Sequence, residues 1–113
     1  MHEMSLCEAI LNILQEQAGV QSFQRVKTVW LEIGSLACVE PAAMEFGFEV
    51  VSRGTLAEGS RLEIIPIPAE AWCEQCAEQV EITERYHPCP RCGGYQLKVR
   101  GGDEMRIKEL EVE

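Results

Sequence analysis

The chain has 113 residues, 46% of them hydrophobic, which is about one domain of globular sequence and too apolar for disorder. Its formal net charge of −9 argues against nucleic acid or an anionic membrane as a partner. No apolar run approaches the ~18 residues of a membrane span, and the start, Met1-His2-Glu3-Met4, carries an acid where a secretory leader needs bases, so a cytoplasmic location is expected.

Residues 5–18 have the period of an amphipathic helix. Leu6, Ile10, Leu14 and Ala18 recur every fourth position, with Cys7 and Leu11 beside them. Ser5 and Glu8 have capping-box spacing and Gly19 is a reasonable stop, which leaves Met1–Met4 as a short exposed lead-in or an added first turn. Residues 25–33 alternate as a half-buried strand, with Val29, Leu31 and Ile33 on one face and Thr28, Trp30 and Glu32 on the other. A second helix is expected from Pro41 to just before Gly54. Ala42, Phe46 and Val50 would form its apolar stripe, flanked by Met44 and Val51. Leu62–Ile67 predicts a second strand, which Pro66 confines to an edge or ends. Met105–Val112 predicts a third. Its apolar residues change parity between Ile107 and Leu110, which a bulge near Lys108-Glu109 would reconcile.

The most specific motif lies between the second and third strands. Cys73-Glu74-Gln75-Cys76 and Cys89-Pro90-Arg91-Cys92 are two Cys-x-x-Cys knuckles separated by twelve residues. Two intervening residues let both sulfurs of a knuckle face one point about 2.3 Å away, as tetrahedral zinc requires. A pair of disulfides and a rubredoxin-like iron site are the alternatives, and His87 could replace one thiolate. Six cysteines without a secretory leader suit a reducing compartment. Cys7 and Cys38 stand apart and are expected to be small buried hydrophobes.

Pro66-Ile67-Pro68 and Gly101-Gly102 flank the cysteine segment as hinge-like boundaries. The expected fold is α+β: a small three-stranded sheet with two helices, formed by residues 1–68 and 101–113, plus an inserted zinc-ribbon lobe at residues 69–100. The lobe's apolar candidates are Trp72, Val80, Ile82, Tyr86, Tyr95, Leu97 and Val99. So small a unit usually needs a metal or disulfides. Four cysteines would close the coordination shell, and neither a nucleophile–base arrangement nor a phosphate loop is present, so no catalysis is expected.

The first three residues offer different chemistry. The Met1 amine, the amide nitrogen of residue 2 and the His2 imidazole form adjacent chelate rings, and Glu3 could supply a fourth donor. Such a nitrogen-rich, nearly planar set suits Ni(II) or Cu(II), and donor type alone does not choose nickel. The amine titrates near pH ~8, so affinity should rise with pH through that range.

Met1-His2-Glu3-Met4-Ser5-Leu6, Val29-Trp30-Leu31-Glu32-Ile33-Gly34, Cys38-Val39-Glu40, Ala57-Glu58-Gly59 and the two knuckles together resemble the HypA/HybF family of hydrogenase maturation factors. The resemblance covers essentially the whole chain. It implies a small nickel metallochaperone that helps deliver Ni(II) to the large subunit of [NiFe]-hydrogenase, working with a HypB-type GTPase, and in some bacteria also feeding urease. Carried over by position, His2 is the nickel ligand, supported by the Met1 amine and by Glu3, and Cys73, Cys76, Cys89 and Cys92 are the ligands of a structural zinc. Some members carry a His just after the second knuckle; here that place is Gly93. Glu40 sits where the family tends to be acidic, although a role beside the helix-starting Pro41 is the simpler reading. The resemblance leaves a homodimer open. The contrasting reading is a zinc-ribbon interaction module with no nickel role.

Overall fold

The computed structural model describes residues 2–113, with side chains from Glu3 onward. Among the described residues the order of elements is α1 (His2–Gln21), β1 (Val26–Gly34), α2 (Pro41–Ser52), β2 (Arg61–Ile67), β3 (Ala69–Cys73), β4 (Glu78–Ile82), β5 (Leu97–Arg100) and β6 (Met105–Val112). One three-stranded sheet has the order β2-β1-β6 and the other β4-β3-β5. The expected α+β architecture is therefore present, with two helices, a three-stranded sheet and a cysteine-bearing lobe. The lobe also contains a small sheet of its own. The chain divides into two compact units. The first comprises Met1–Leu31, Val39–Ile64 and Ile107–Glu113, and the second Glu32–Cys38 and Ile65–Arg106.

In the first unit, α1 buries Ile10 and Leu14 of its predicted stripe together with Cys7 beside them, while Leu6 and Ala18 are half-buried. The helix begins at His2, so the added first turn allowed by the sequence is present, but its other end differs from expectation: it passes Gly19 to end at Gln21. The left-handed residue that stops it is Ser22, with φ of 60°, whose amide donates to the Ala18 carbonyl at 2.9 Å. Gly19 is an exposed interior helical residue with nothing within 4 Å of the position a Cβ would take.

The second helix starts as expected at Pro41, with Glu40 as its N-cap, but its buried stripe is out of phase with the prediction. Met44, Gly47, Phe48 and Ser52 face inward, while Phe46 is 65% exposed. Phe and Val attract attention in a sequence. Here a glycine marks the inward face, because at Gly47 a Cβ would lie 3.0 Å from the Met4 Sδ and 3.1 Å from the Cys7 Sγ. Close approach of α1 and α2 thus selects the face. β1 is the central strand of its sheet, which explains why Thr28, expected on the open face, is buried. Its hydroxyl donates to Glu111 at 2.8 Å. β2 is an edge strand, as Pro66 requires. Along β6 the less exposed residues are Met105, Ile107 and Leu110, with Lys108 and Glu109 both outward, so the change of parity falls where the sequence placed it.

In the second unit, β3 pairs antiparallel with β4 on one side and β5 on the other, with Trp72 opposite Gln79 and Lys98. The buried cluster is Leu36, Ala69, Ala71, Cys73, Val80, Ile82 and Cys89. Trp72, Tyr86, Tyr95 and Val99, expected as core, are exposed, Tyr86 by 92%. Strand parity explains Trp72: Ala69, Ala71 and Cys73 take the inward positions of β3, which leaves Glu70 and Trp72 outward. Gly101-Gly102 is no loose hinge. Gly102 is buried at φ of 82°, its carbonyl accepts from the Leu36 amide at 2.6 Å, and a Cβ would fall 2.9 Å from the Ala69 Cα.

Two glycine substitutions should therefore act in opposite directions. Gly19→Ala should stabilise the protein by about 0.5–1 kcal/mol, because it adds helix propensity without a clash. Gly102→Ala should destabilise it by at least about 1–3 kcal/mol, because the left-handed backbone and close neighbours admit no Cβ. Urea denaturation of the metal-loaded variants measures both; a destabilising Gly19→Ala would mean that Gly19 terminates α1 after all.

Candidate metal centres

The Cys73, Cys76, Cys89 and Cys92 sulfurs form a single group in which every pair lies within 4.8 Å. Local structure brings them there. Cys73 is the last residue of β3, and a tight turn follows in which the Cys76 amide donates to the Cys73 sulfur at 3.4 Å and the Ala77 amide to the Cys73 carbonyl at 2.8 Å. The second knuckle repeats this pattern. The Arg91 amide donates to the Cys89 sulfur at 3.4 Å and the Gly93 amide to the Cys89 carbonyl at 2.9 Å. Each turn ends on a left-handed residue, Ala77 with φ of 54° and Gly93 with φ of 75°. At Gly93, where some members of the resembled family place a histidine, the backbone favours glycine.

The sulfur separations test what the group can hold. Cys73 and Cys92 are 3.7 Å apart, and Cys76 and Cys89 are 3.9 Å apart. A disulfide needs about 2.05 Å, so these are four free thiols, not two bridges. The edge of a tetrahedron whose corners lie about 2.3 Å from its centre is about 3.8 Å, so the four sulfurs fit a tetrahedral ion of zinc's size. His87 does not join them. It is exposed, and its Nδ1 lies 2.8 Å from the Pro88 carbonyl oxygen.

The electrostatics of the thiols are uneven. The Cys89 thiol is drawn down to about 7, chiefly by the hydrogen bond from the Cys92 amide, with the Arg91 amide also lowering it and burial opposing. Cys76 is pushed up to about 12, first by its hydrogen bond with Cys92 and then by burial and the other two thiols. Cys89 thus offers a thiolate more readily than Cys76 does. Around the group, the Arg91 guanidinium donates to both oxygens of Glu78 at 2.9 Å, and the Cys92 thiol donates to the Gln75 side-chain carbonyl at 3.4 Å. Gln75 and Arg91 occupy the variable positions inside the knuckles, so spacing alone gave them no role.

The N-terminal donor set falls partly outside the described residues: the Met1 amine and the His2 imidazole do. The backbone of His2 opens α1, and Glu3 lies in its first turn. The Glu3 carboxylate accepts from the Glu40 amide at 3.4 Å, and the Glu40 carboxylate accepts from the Ala42 amide at 3.3 Å. Glu40 is thus the N-cap of α2, the simpler of its two sequence readings, and it stands beside Glu3. The Glu3 carboxylate thus reaches the backbone that opens α2, a contact that residues 37 positions apart did not announce. Of the isolated cysteines, Cys7 is fully buried, as expected, and burial, then Glu3 and Glu8, raise its thiol pKa. Cys38 is exposed, contrary to expectation, on a left-handed residue with φ of 58°.

Comparison with known proteins matches this architecture over its full length. The family described as "Hydrogenase/urease nickel incorporation, metallochaperone, hypA" matches residues 1–112. The chain is 58% identical to the hydrogenase maturation factor HypA of Azotobacter chroococcum and 60% identical to that of Alkalilimnicola ehrlichii, in each case over 113 residues and 100% of both chains. Among solved structures, the nickel metallochaperone HypA of Helicobacter pylori aligns with a TM-score of 0.66 at 21% identity, covering 97% of this chain and 96% of that one. A second HypA solution structure aligns with a TM-score of 0.69 at 22% identity, covering 99% and 96%. At such identities the structural likeness speaks for the fold, while the full-length sequence match establishes kinship: the chain belongs to the HypA family.

Proposed function

We propose that this protein is a nickel carrier for hydrogenase maturation, which binds Ni(II) through the Met1 amine, His2 and Glu3 and holds a structural zinc with Cys73, Cys76, Cys89 and Cys92. The observation that carries the reading is the full-length family match, joined to a four-sulfur group of tetrahedral dimensions. Zinc supplies a closed, redox-inert cross-link and no open position for chemistry, so the reading assigns no catalysis to the lobe.

Helix geometry supports the N-terminal site. The first amides of a helix have no intrahelical acceptor, so with α1 beginning at His2 the amide nitrogen of residue 2 can turn to a metal without breaking a helical bond. The Glu3 carboxylate adds negative charge in that first turn. Nickel capture must displace the proton of the terminal amine, whose usual pKa is about 8, so binding strengthens as pH rises and release is favoured by acid. A site built on the terminal amine would be easily dismantled by a partner that offers competing ligands, which suits a carrier. The net charge of −9 would steer a basic face of that partner, which in this reading is a HypB-type GTPase or the hydrogenase large subunit. No helix of the described residues is long and apolar enough to cross a membrane.

One added residue before Met1 tests the nickel site, because it moves the amine out of the chelate while leaving the fold intact. Nickel titration of the untagged protein should show affinity falling by at least about tenfold in that extended chain, and similarly in His2→Ala. Retention of parental affinity in both would reject the site. For zinc, native mass spectrometry should find one ion per chain. Cys76→Ser with Cys92→Ser should lose it and melt the β3–β5 sheet, seen as loss of amide protection there, while α1 stays protected. An all-sulfur shell also predicts that zinc affinity rises with pH, since Cys76 holds its proton to about 12 when metal-free. Competition with a chromogenic chelator at two pH values measures this.

A further inference from the structure

A second group of sulfur atoms lies in the first unit, apart from the four-cysteine group. Cys7 on α1 and Met44 on α2 are both 0% exposed, and their sulfurs stand 4.0 Å apart. Met4, one turn before Cys7, brings a third sulfur to the notch at Gly47 that the Cys7 sulfur also borders. Gly47 leaves the room, since the point its Cβ would occupy is 3.0 Å from the Met4 Sδ and 3.1 Å from the Cys7 Sγ. Positions 4 and 7 share one face of α1, and 44 and 47 share one face of α2, so the helices present their sulfurs and the notch to each other.

The geometry and the donor set select among metals. At a metal–sulfur distance of about 2.3 Å, two sulfurs 4.0 Å apart subtend about 120°, the angle of a trigonal three-sulfur centre. Thiolate and thioether donors favour soft Cu(I), whereas nitrogen and oxygen donors suit Ni(II). Charge narrows the choice further. One thiolate and one monovalent cation sum to zero, so their complex can be buried in an apolar core, whereas a dication would leave an unpaired charge there. Met4 is only partly buried, and its flexible side chain offers a way in.

We propose that Met4, Cys7 and Met44 form a binding site for Cu(I), with the Cys7 thiolate and the two thioethers as its three ligands. On binding, the Cys7 thiol releases its proton to solvent, and its hydrogen bond to the Met44 carbonyl, 3.4 Å long, gives way to a copper–sulfur bond. Copper enters and leaves as Cu(I), so no electron is transferred. Sulfur packing without a metal role would make leucine an adequate substitute for either methionine.

The test is anaerobic titration of the zinc-loaded intact chain with Cu(I) delivered from its bicinchoninate complex, with zinc release followed in parallel. The expected result is one Cu(I) bound with zinc retained, and X-ray absorption of that complex showing three sulfur neighbours. Met44→Leu and Met4→Leu, which keep the core filled, should each weaken Cu(I) binding by roughly tenfold or more, and Cys7→Ser should abolish it. If the first equivalent of Cu(I) expels zinc, or if both leucine variants bind as tightly as the parent, the site is rejected. The methionine variants decide the matter even if Cys7→Ser fails to fold. His2→Ala should leave Cu(I) affinity unchanged, so failure of the nickel reading and failure of the copper site are distinguishable.

Discussion

The convergence of four sulfurs on one point is the constraint the second unit depends on. Apart from cysteines, its buried cluster contains two alanines, one valine, one isoleucine and one leucine. Full burial of a large aliphatic side chain contributes about 1.5–3 kcal/mol, and alanine less, whereas each residue fixed in place costs about 1–2 kcal/mol of backbone entropy. A unit that runs over Glu32–Cys38 and Ile65–Arg106 cannot be held on those terms. The local turns add to the cost, since Ala77 adopts a left-handed conformation that L-residues avoid. The proposed zinc would offset this as a cross-link between segments far apart in sequence, joining the end of β3 to a knuckle that precedes β5. The amides directed at the Cys89 sulfur already favour the charged form a metal needs.

The same constraint explains which parts of the chain could be read from its sequence. Cysteine spacing is a covalent pattern with one geometric solution, so the sulfur group was legible without knowing the fold. The stripe Cys7–Ile10–Leu14 was legible because α1 buries one face only. α2 was misread because its inward face is set by how closely two helices approach, a property of Gly47 and not of Phe46. Gly19 was taken for a stop because glycine is common there, yet the stop fell on Ser22, where nothing in composition distinguishes it. In the lobe, large aromatic residues were assigned inward by size. Parity on β3 instead gave the inward places to small residues, which fit beside cysteine and leave Trp72 outside.

The juxtaposition of Glu3 and Glu40 shows what sequence reading loses at long range. Each residue had a local explanation, as an acid near a chain end and as a neighbour of Pro41. Only folding shows that one carboxylate accepts the other residue's amide. Glu3 thereby serves both helices: it is the acid in the first turn of α1, and it also places negative charge beside the start of α2, where the helix dipole favours it.

That arrangement bears on how a carrier site can be both selective and weak enough to release its cargo. The start of a helix carries roughly half a positive charge, which repels a dication. A metal held there must be stabilised by groups that lose protons on binding, such as the terminal amine and a backbone amide, and by nearby carboxylates. Affinity then depends steeply on proton activity and on whether Glu3 remains with Glu40 or turns to the metal. Zinc and nickel, as proposed, thus call for opposite designs: the four cysteines are buried or half-buried except Cys92 and would close the zinc on all sides with sulfur, whereas the proposed nickel donors would belong to a helix start whose field works against them. Tight retention follows from the first arrangement, and exchange with a partner from the second.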